Sequence, residues 1–193
     1  MERVFARFKP LVLDLLTASF AENQSVNYLV RQNNRRSKYI QALMDYSFEI
    51  CSLFGEVWIS DDHRACALVI YPQQRKTTLK VILLDIRLIF QAIGLKGVQK
   101  TLAREGKVKK LQTKENMAYL WFIGVDPLYQ RNGIGSKLLK DVIEETASRN
   151  LPICLETSTL RNLPWYERFG FQVYDQLNLG YILYFLRRDP ENP

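Results

Sequence analysis

Along the first fifty residues the apolar positions return every three or four places. In "PLVLDLLTASFAEN" Leu11, Leu15 and Ala18 share a face and Pro10 suits an opening turn, which predicts a helix from residue 10. "QSVNYLV" follows, then a polar break, "RQNNRR". Ile40, Leu43 or Met44, Ser47 and Ile50 predict a second helix over about 37–51. The period then shortens. "GEVWISDDHRACALVIYP" holds two short strand patterns around a polar turn at Asp61-Asp62-His63, a hairpin that Pro72 ends. A helical pattern covers 79–93, and a basic helical piece runs on to about Leu111, punctuated by Gly94 and Gly97. "NMAYLWFIGVDP" is a continuous apolar run ended by Asp126-Pro127, which predicts a central strand covered on both faces. A helix over 134–149 follows, with Ile134, Leu138, Val142 and Thr146 on one side. "LPICLETST" reads as a strand, and "NLPWYERFGF" as a short helix with Pro164 near its start and Gly170 as its C-terminal cap. "FQVYDQ" and "YILYFLRR" close the chain as strands joined through "LNLG".

That order, about seven strands and four or five helices, is mixed α and β. A length of 193 residues without a repeat or linker predicts one domain over 1–193, its weakest boundary within 72–78. The net charge of +7 favours an anionic partner: nucleic acid, an anionic membrane face or a phosphorylated cofactor. No dedicated nucleic-acid motif accompanies the charge, so no nucleic-acid partner is expected. The best membrane candidate, "LKVILLDIRLIFQAIGL" at 79–95, is interrupted by Lys80, Asp85 and Arg87, short of the ~20 apolar residues a span needs. It fits a buried or interface-lying amphipathic helix, and no membrane partner is expected. "MERVFARFKP" does not read as a signal peptide, since its apolar continuation soon reaches Asp14. Cys51, Cys66 and Cys154 are too scattered for a disulfide scaffold or zinc site and read as buried free thiols. A cytoplasmic location and no metal are expected.

One stretch asks for a chemical reading. In "DPLYQRNGIGSKLL" a strand passes through Gln130, Arg131, Asn132, Gly133, Ile134 and Gly135 into a helix. The first helical turn has N–H groups without intrahelical partners, and the helix dipole adds positive potential. Glycines at 133 and 135 let an anion approach those donors, and a pyrophosphate is a natural occupant. A tight turn with no ligand is the competing reading. A dinucleotide fold would want a third glycine where Leu138 stands, and a P-loop would reverse Gly135-Ser136-Lys137.

The turn resembles the acetyl-CoA signature of the GNAT superfamily of N-acetyltransferases, Q/R-x-x-G-x-G/A, with Gln130, Gly133 and Gly135 in the first, fourth and sixth places. "FIGVDPLYQ" is similar to the family's lead-in. "TSTLRNLPWYERFGF" resembles its second landmark, with Asn162, Tyr166, Gly170 and Phe171 in register. The resemblance is close over 116–175; the region 72–112 departs from the common pattern as an insertion-like helical segment. It implies an α+β fold whose central mixed, mostly antiparallel sheet of about seven strands is flanked by helices. It also implies transfer of an acetyl group from acetyl-CoA to a primary amine of a small molecule, by direct attack in a ternary complex. The alternatives are a protein or peptide N-acetyltransferase, transfer of another acyl group, or a non-catalytic acyl-CoA sensor.

By the same resemblance the backbone of Ile123, Gly124 and Val125 lines the pantetheine arm. The N–H groups of Arg131 to Gly135 hold the pyrophosphate, Ser136 supplies a hydroxyl, and Asn162 binds the cofactor, orients the helix after it or caps that helix. Tyr166 is the candidate general acid for the leaving sulfur. Glu156 is the candidate base: alternation puts it on one face with Cys154 and Ser158, and a carboxylate in so apolar a strand needs a partner or a purpose. A pairing with Arg161 or Arg168 is its structural alternative. Glu49 and His63 are weaker candidates. Tyr28, Tyr39, Tyr46, Tyr119 and Trp121 are available to line an acceptor pocket. Lys96, Lys100, Arg104, Lys107, Lys109 and Lys110 form a solvated helix face or an electrostatic guide for the cofactor. A monomer or homodimer is expected.

Overall fold

The computed structural model describes residues 1–3 and 6–190. The reading of the first ten residues falls partly on residues 4 and 5, and the expected domain ends at 191–193; these positions lie outside the described residues.

The described chain runs β1 (Glu2–Arg3), α1 (Lys9–Ser19), α2 (Gln24–Leu29), α3 (Arg36–Phe54), β2 (Gly55–Ile59), β3 (Ala65–Ile70), α4 (Leu79–Leu88), α5 (Val98–Leu111), β4 (Ala118–Val125), α6 (Ile134–Ala147), β5 (Ile153–Thr157), α7 (Leu163–Glu167), β6 (Gln172–Asn178) and β7 (Ile182–Arg188). Seven strands form one sheet in the order β1-β2-β3-β4-β5-β7-β6. Every pairing is antiparallel except β4 with β5, which α6 joins as a crossover. The expected mixed, mostly antiparallel sheet is therefore present. Its seventh strand is the short β1, which no pattern in the sequence had indicated.

Helices cover both faces. On one, Val12, Leu16, Ile40, Met44, Ile50 and Leu84 from α1, α3 and α4 pack with Leu68 and Phe122 of the sheet. On the other, Leu138, Leu139, Val142 and Ile143 of α6 pack with Ala67, Leu120 and Leu155. Each of these Val, Leu, Ile, Met and Phe side chains, taken fully out of water, contributes about 1.5–3 kcal/mol. "QSVNYLV" is the helix α2, opened by Asn23, whose side chain accepts from the Val26 N–H at 3.0 Å. The pattern over 79–93 divides. α4 starts at Thr78, whose hydroxyl accepts from the Val81 N–H, and ends at Leu88; a wider π turn spans Ile89–Ile93.

The sheet is irregular where β6 meets β7, between Val173 and Asp175, and in two places at β4. β3 pairs Leu68 with Phe122 and Val69 with Leu120, so Trp121 is an extra residue bulged out of β4. Beyond the bulge β4 stays paired with β3 as far as Val125. On its other side β4 meets β5 only at Ala118↔Ile153 and Tyr119↔Cys154. The two parallel strands then part, and β5 stays with β7 through Thr157.

Candidate active site

The parting of β4 and β5 leaves the edge of residues 120–125 without a strand partner on that side. Backbone N–H and C=O groups there are open to an extended ligand, since a sheet edge is a template for strand-like hydrogen bonding. Ile123, Gly124 and Val125 lie on this edge. Gly124 turns its bare side toward α1, where a Cβ would come within 2.8 Å of Ser19 Oγ.

At the end of β4 the Asp126 side chain accepts from the Leu128 N–H at 3.0 Å and starts a short turn over Pro127–Tyr129. Gln130 Nε2 donates back to the Val125 carbonyl at 3.3 Å and so braces the strand end. Arg131 and Gly133 both have positive φ, 67° and 78°. That backbone carries the chain sharply into α6, and glycine adopts it without the cost a side chain incurs. At Gly135 the requirement is space: a Cβ would lie 3.0 Å from Val125 Cγ2. α6 has no side-chain cap at its N-terminus, which leaves the N–H donors of its first turn to another acceptor. Ser136 Oγ accepts from Trp165 Nε1 at 2.9 Å, tying α6 to α7 and keeping its own proton to give. Asn132 is exposed at the turn. A cavity of about 300 Å³ next to the turn carries Asp61, Asp62 and Asp141 beside Lys137, an acidic excess that disfavours phosphates. The donor-rich first turn and the β4 edge suit an extended phosphorylated thioester better.

Tyr166 on α7 is buried, ringed by Trp165 at 4.7 Å and Phe171 at 5.6 Å between centroids. Burial pushes its phenol above the ordinary value of 10, so it stays protonated at neutral pH. Asn162 stands where a cap of α7 would, and its side chain makes no capping hydrogen bond.

On the other face, where Trp121 bulges, a cavity of about 640 Å³ opens among α2, α4, α5 and the sheet. Its wall is largely apolar, with Phe20, Val26, Leu43, Ile70, Leu88 and Trp121 among its side chains. Polar side chains interrupt it, and two clusters of them are held by hydrogen bonds. Glu156 accepts from Gln112 Nε2 at 2.8 Å and has Tyr119 as a further donor and Arg104 as the nearby cation. Burial raises its carboxyl above 4.5 even so, which makes it a better proton acceptor near neutral pH. In the second group the Tyr46 hydroxyl donates to Asp85 at 2.7 Å and accepts from Arg75 at 3.1 Å.

Several sequence expectations change here. The partners of Glu156 are Gln112, Tyr119 and Arg104, in place of Arg161 or Arg168. Arg104 is only 7% exposed and donates to Ser25 Oγ at 2.7 Å and the Tyr181 hydroxyl at 3.3 Å, so it does not belong to a solvated face. Ser158 shares the cavity with Glu156, while Cys154 lies buried outside its lining with its thiol pushed up by burial. Glu49 is held below the usual range: burial alone would raise it, and Lys9 at 2.6 Å and Lys80 at 3.1 Å reverse that. His63 stands in an exposed turn, 3.4 Å from Glu2. Tyr46, Tyr119 and Trp121 line the cavity; Tyr28 instead packs on Tyr181, and Tyr39 under Arg31. Arg104 and Gln112 were missed as site residues. The one available signal was the helical spacing of Arg104 with Val108, which puts it on the inward side of α5.

Comparison with known proteins bears on the fold. The family model of the acetyltransferase (GNAT) domain matches residues 93–173, from before α5 to the start of β6. An uncharacterized N-acetyltransferase, C550.08, of Schizosaccharomyces pombe is 43% identical over 58 residues, 30% of this chain and 23% of that protein's length. Among solved structures, one of histone acetyltransferase HPA2 and related acetyltransferase from Corynebacterium glutamicum superposes with a TM-score of 0.75 at 18% identity, covering 100% of this chain and 96% of the other. Arylalkylamine N-acetyltransferase 2 from Aedes aegypti superposes with a TM-score of 0.65 at 16% identity, covering 98% of each chain.

Proposed function

We propose that this chain, which has the GNAT acetyltransferase fold, works as a single domain that transfers the acetyl group of acetyl-CoA to the primary amine of a small molecule. The observation that carries the reading is the parting of β4 and β5 between an uncapped helix N-terminus and a cavity holding a half-buried carboxylate. Acetyl-CoA is one of two substrates. The first turn of α6, from Gly133 to Ser136, and the adjacent Arg131 suit its phosphates. The open edge at Ile123–Val125 suits the pantetheine amides; the family resemblance gives Asn162 and Tyr166 their places beside the arm, and Tyr166 itself is buried outside both cavities.

The acceptor enters the cavity as an ammonium ion and gives a proton to Glu156. The freed nitrogen attacks the thioester carbon; the C–N bond forms and the C–S bond breaks. Tyr166 gives its proton to the departing sulfur and is restored by the second proton, which the nitrogen loses as the amide forms; the proton on Glu156 is the one released. The products are the amide and the thiol, and one proton leaves to solvent. Backbone donors of the β4 edge suit the carbonyl oxygen as its charge grows. Cys154 lies outside the cavity lining with a thiol that burial keeps protonated, which favours direct transfer over an acetyl-enzyme.

The largely apolar wall of the cavity favours an amine with an apolar body. The test of the cofactor assignment is calorimetry with acetyl-CoA, comparing the parent with Gly133→Glu, whose side chain would add negative charge at the donor turn. Binding that the variant weakens at least about tenfold supports the assignment. Equal binding by both proteins would remove the turn from the site. Binding with no turnover on any amine would favour an acyl-CoA sensor.

A further inference from the structure

The segment 72–112 carries ten basic residues and two acidic ones, a net +8 against +7 for the whole chain, so the remaining residues sum to −1. It also holds seven of the thirteen large apolar side chains exposed among the described residues. Five of these follow one side of α4 and the π turn: Leu79 is 74% exposed, Ile82 44%, Leu83 58%, Ile86 45% and Phe90 61%. The opposite side of α4 is anchored in the protein. Val81 and Leu84 are buried, and Asp85 is held by Tyr46.

The outward face of α4 therefore consists of apolar residues with Lys80 and Arg87 and no acid. Those two reach back toward α3, to Glu49 at 3.1 Å and Asp45 at 3.0 Å, and remain more than half exposed. Lys9 joins the same pair of carboxylates, so three cations answer two anions. Exposed Lys76 and Lys96 flank the stripe in the chain.

We propose that this face docks the folded protein on an anionic lipid bilayer, with the leucine and isoleucine stripe at the acyl boundary and the lysines against headgroup phosphates. Apolar side chains rimmed by basic ones are what an interface-lying surface needs. Charge complementarity selects this occupant. A second copy seated on the same face would bring two sets of the cations Lys76, Lys80, Arg87 and Lys96 together. Nucleic acid would answer the charge and leave the stripe in water. Among the described residues no helix is long and apolar enough to cross a membrane, so the contact is peripheral. The inner side of α4 lines the larger cavity through Asp85 and Leu88, so one helix serves both surfaces. The sequence left 79–95 as a buried or interface-lying amphipathic helix with no membrane partner expected; it is the outward side of α4 in the fold that argues otherwise.

The test is vesicle flotation of the full chain with phosphatidylcholine alone and with about 30% phosphatidylglycerol added, at about 0.1 M and 0.5 M salt. Two variants run beside it, Leu83→Ser/Ile86→Ser and Lys76→Glu/Lys96→Glu, all at exposed positions outside the cavity lining, with melting curves to verify folding. The expected result is binding at least about tenfold tighter to the anionic vesicles, weaker at high salt, and reduced about tenfold in each variant. No binding to anionic vesicles, equal binding to neutral ones, or a Leu83→Ser/Ile86→Ser variant indistinguishable from the parent would overturn the proposal. So would self-association that this variant abolishes, which would give the face to a second copy, or duplex DNA binding without vesicle binding.

Discussion

At Glu156 two demands meet. Burial opposes its charge, while Gln112, Arg104 and Tyr119 favour it; burial prevails and the carboxyl rises above 4.5. As the proposed base it acts only when ionised, so kcat/KM is expected to fall as pH drops through this raised value. Glu156→Gln is expected to lose about 10²–10⁴-fold in kcat at neutral pH. Stability runs the other way. The folded-state pKa lies above the unfolded one, so this group's contribution is fully present below the unfolded value and lost as pH rises through the folded one. At neutral pH the variant is therefore expected to melt no lower than the parent, which thermal denaturation checks. A melting point that fell together with activity would make Glu156 a structural residue. The sequence pointed to this carboxylate through its apolar strand. Its partners were hidden because Gln112 and Arg104 lie some fifty residues earlier on another element.

At the scale of the element, α6 joins the proposed cofactor turn to the core. Its N-terminus presents donors because Gly133 and Gly135 remove side chains, and its inward stripe fixes where those donors point. Leu139 is fully buried in that stripe, and Leu139→Ala is expected to cost about 2–5 kcal/mol and lower the melting midpoint by about 4–20 °C. Lys140→Ala, one position on and 70% exposed, is expected to change stability by less than about 0.5 kcal/mol. If the two variants melted alike, α6 would not be anchored as described. Elements of this kind were legible because one periodicity persists over several turns. The two-residue β1 and the division of 79–93 into an α-helix and a π turn were not: the first has too few residues to show alternation, and the second keeps a helical apolar pattern throughout.

For the whole molecule, the cavity of about 640 Å³ sets an expectation about acceptors. Across a series of n-alkylamines, kcat/KM is expected to rise about fourfold per added methylene, the equivalent of about 0.8 kcal/mol of buried apolar surface, until the cavity is filled. Steady-state kinetics over the series checks this, and a flat profile would place the acceptor elsewhere. The same cavity joins residues from α2, α4, α5, β4 and β5, so no stretch of sequence contains it.

The sequence by itself determined the central strand, the glycine turn, the helix after it and the resemblance to the GNAT superfamily, because each depends on residues close together in the chain. Tertiary structure alone decided where β4 bulges and leaves β5, which residues surround Glu156, and which side of α4 faces water. Those depend on pairing register and on contacts between distant elements, and the local pattern of apolar and polar residues is the same whichever way they are resolved.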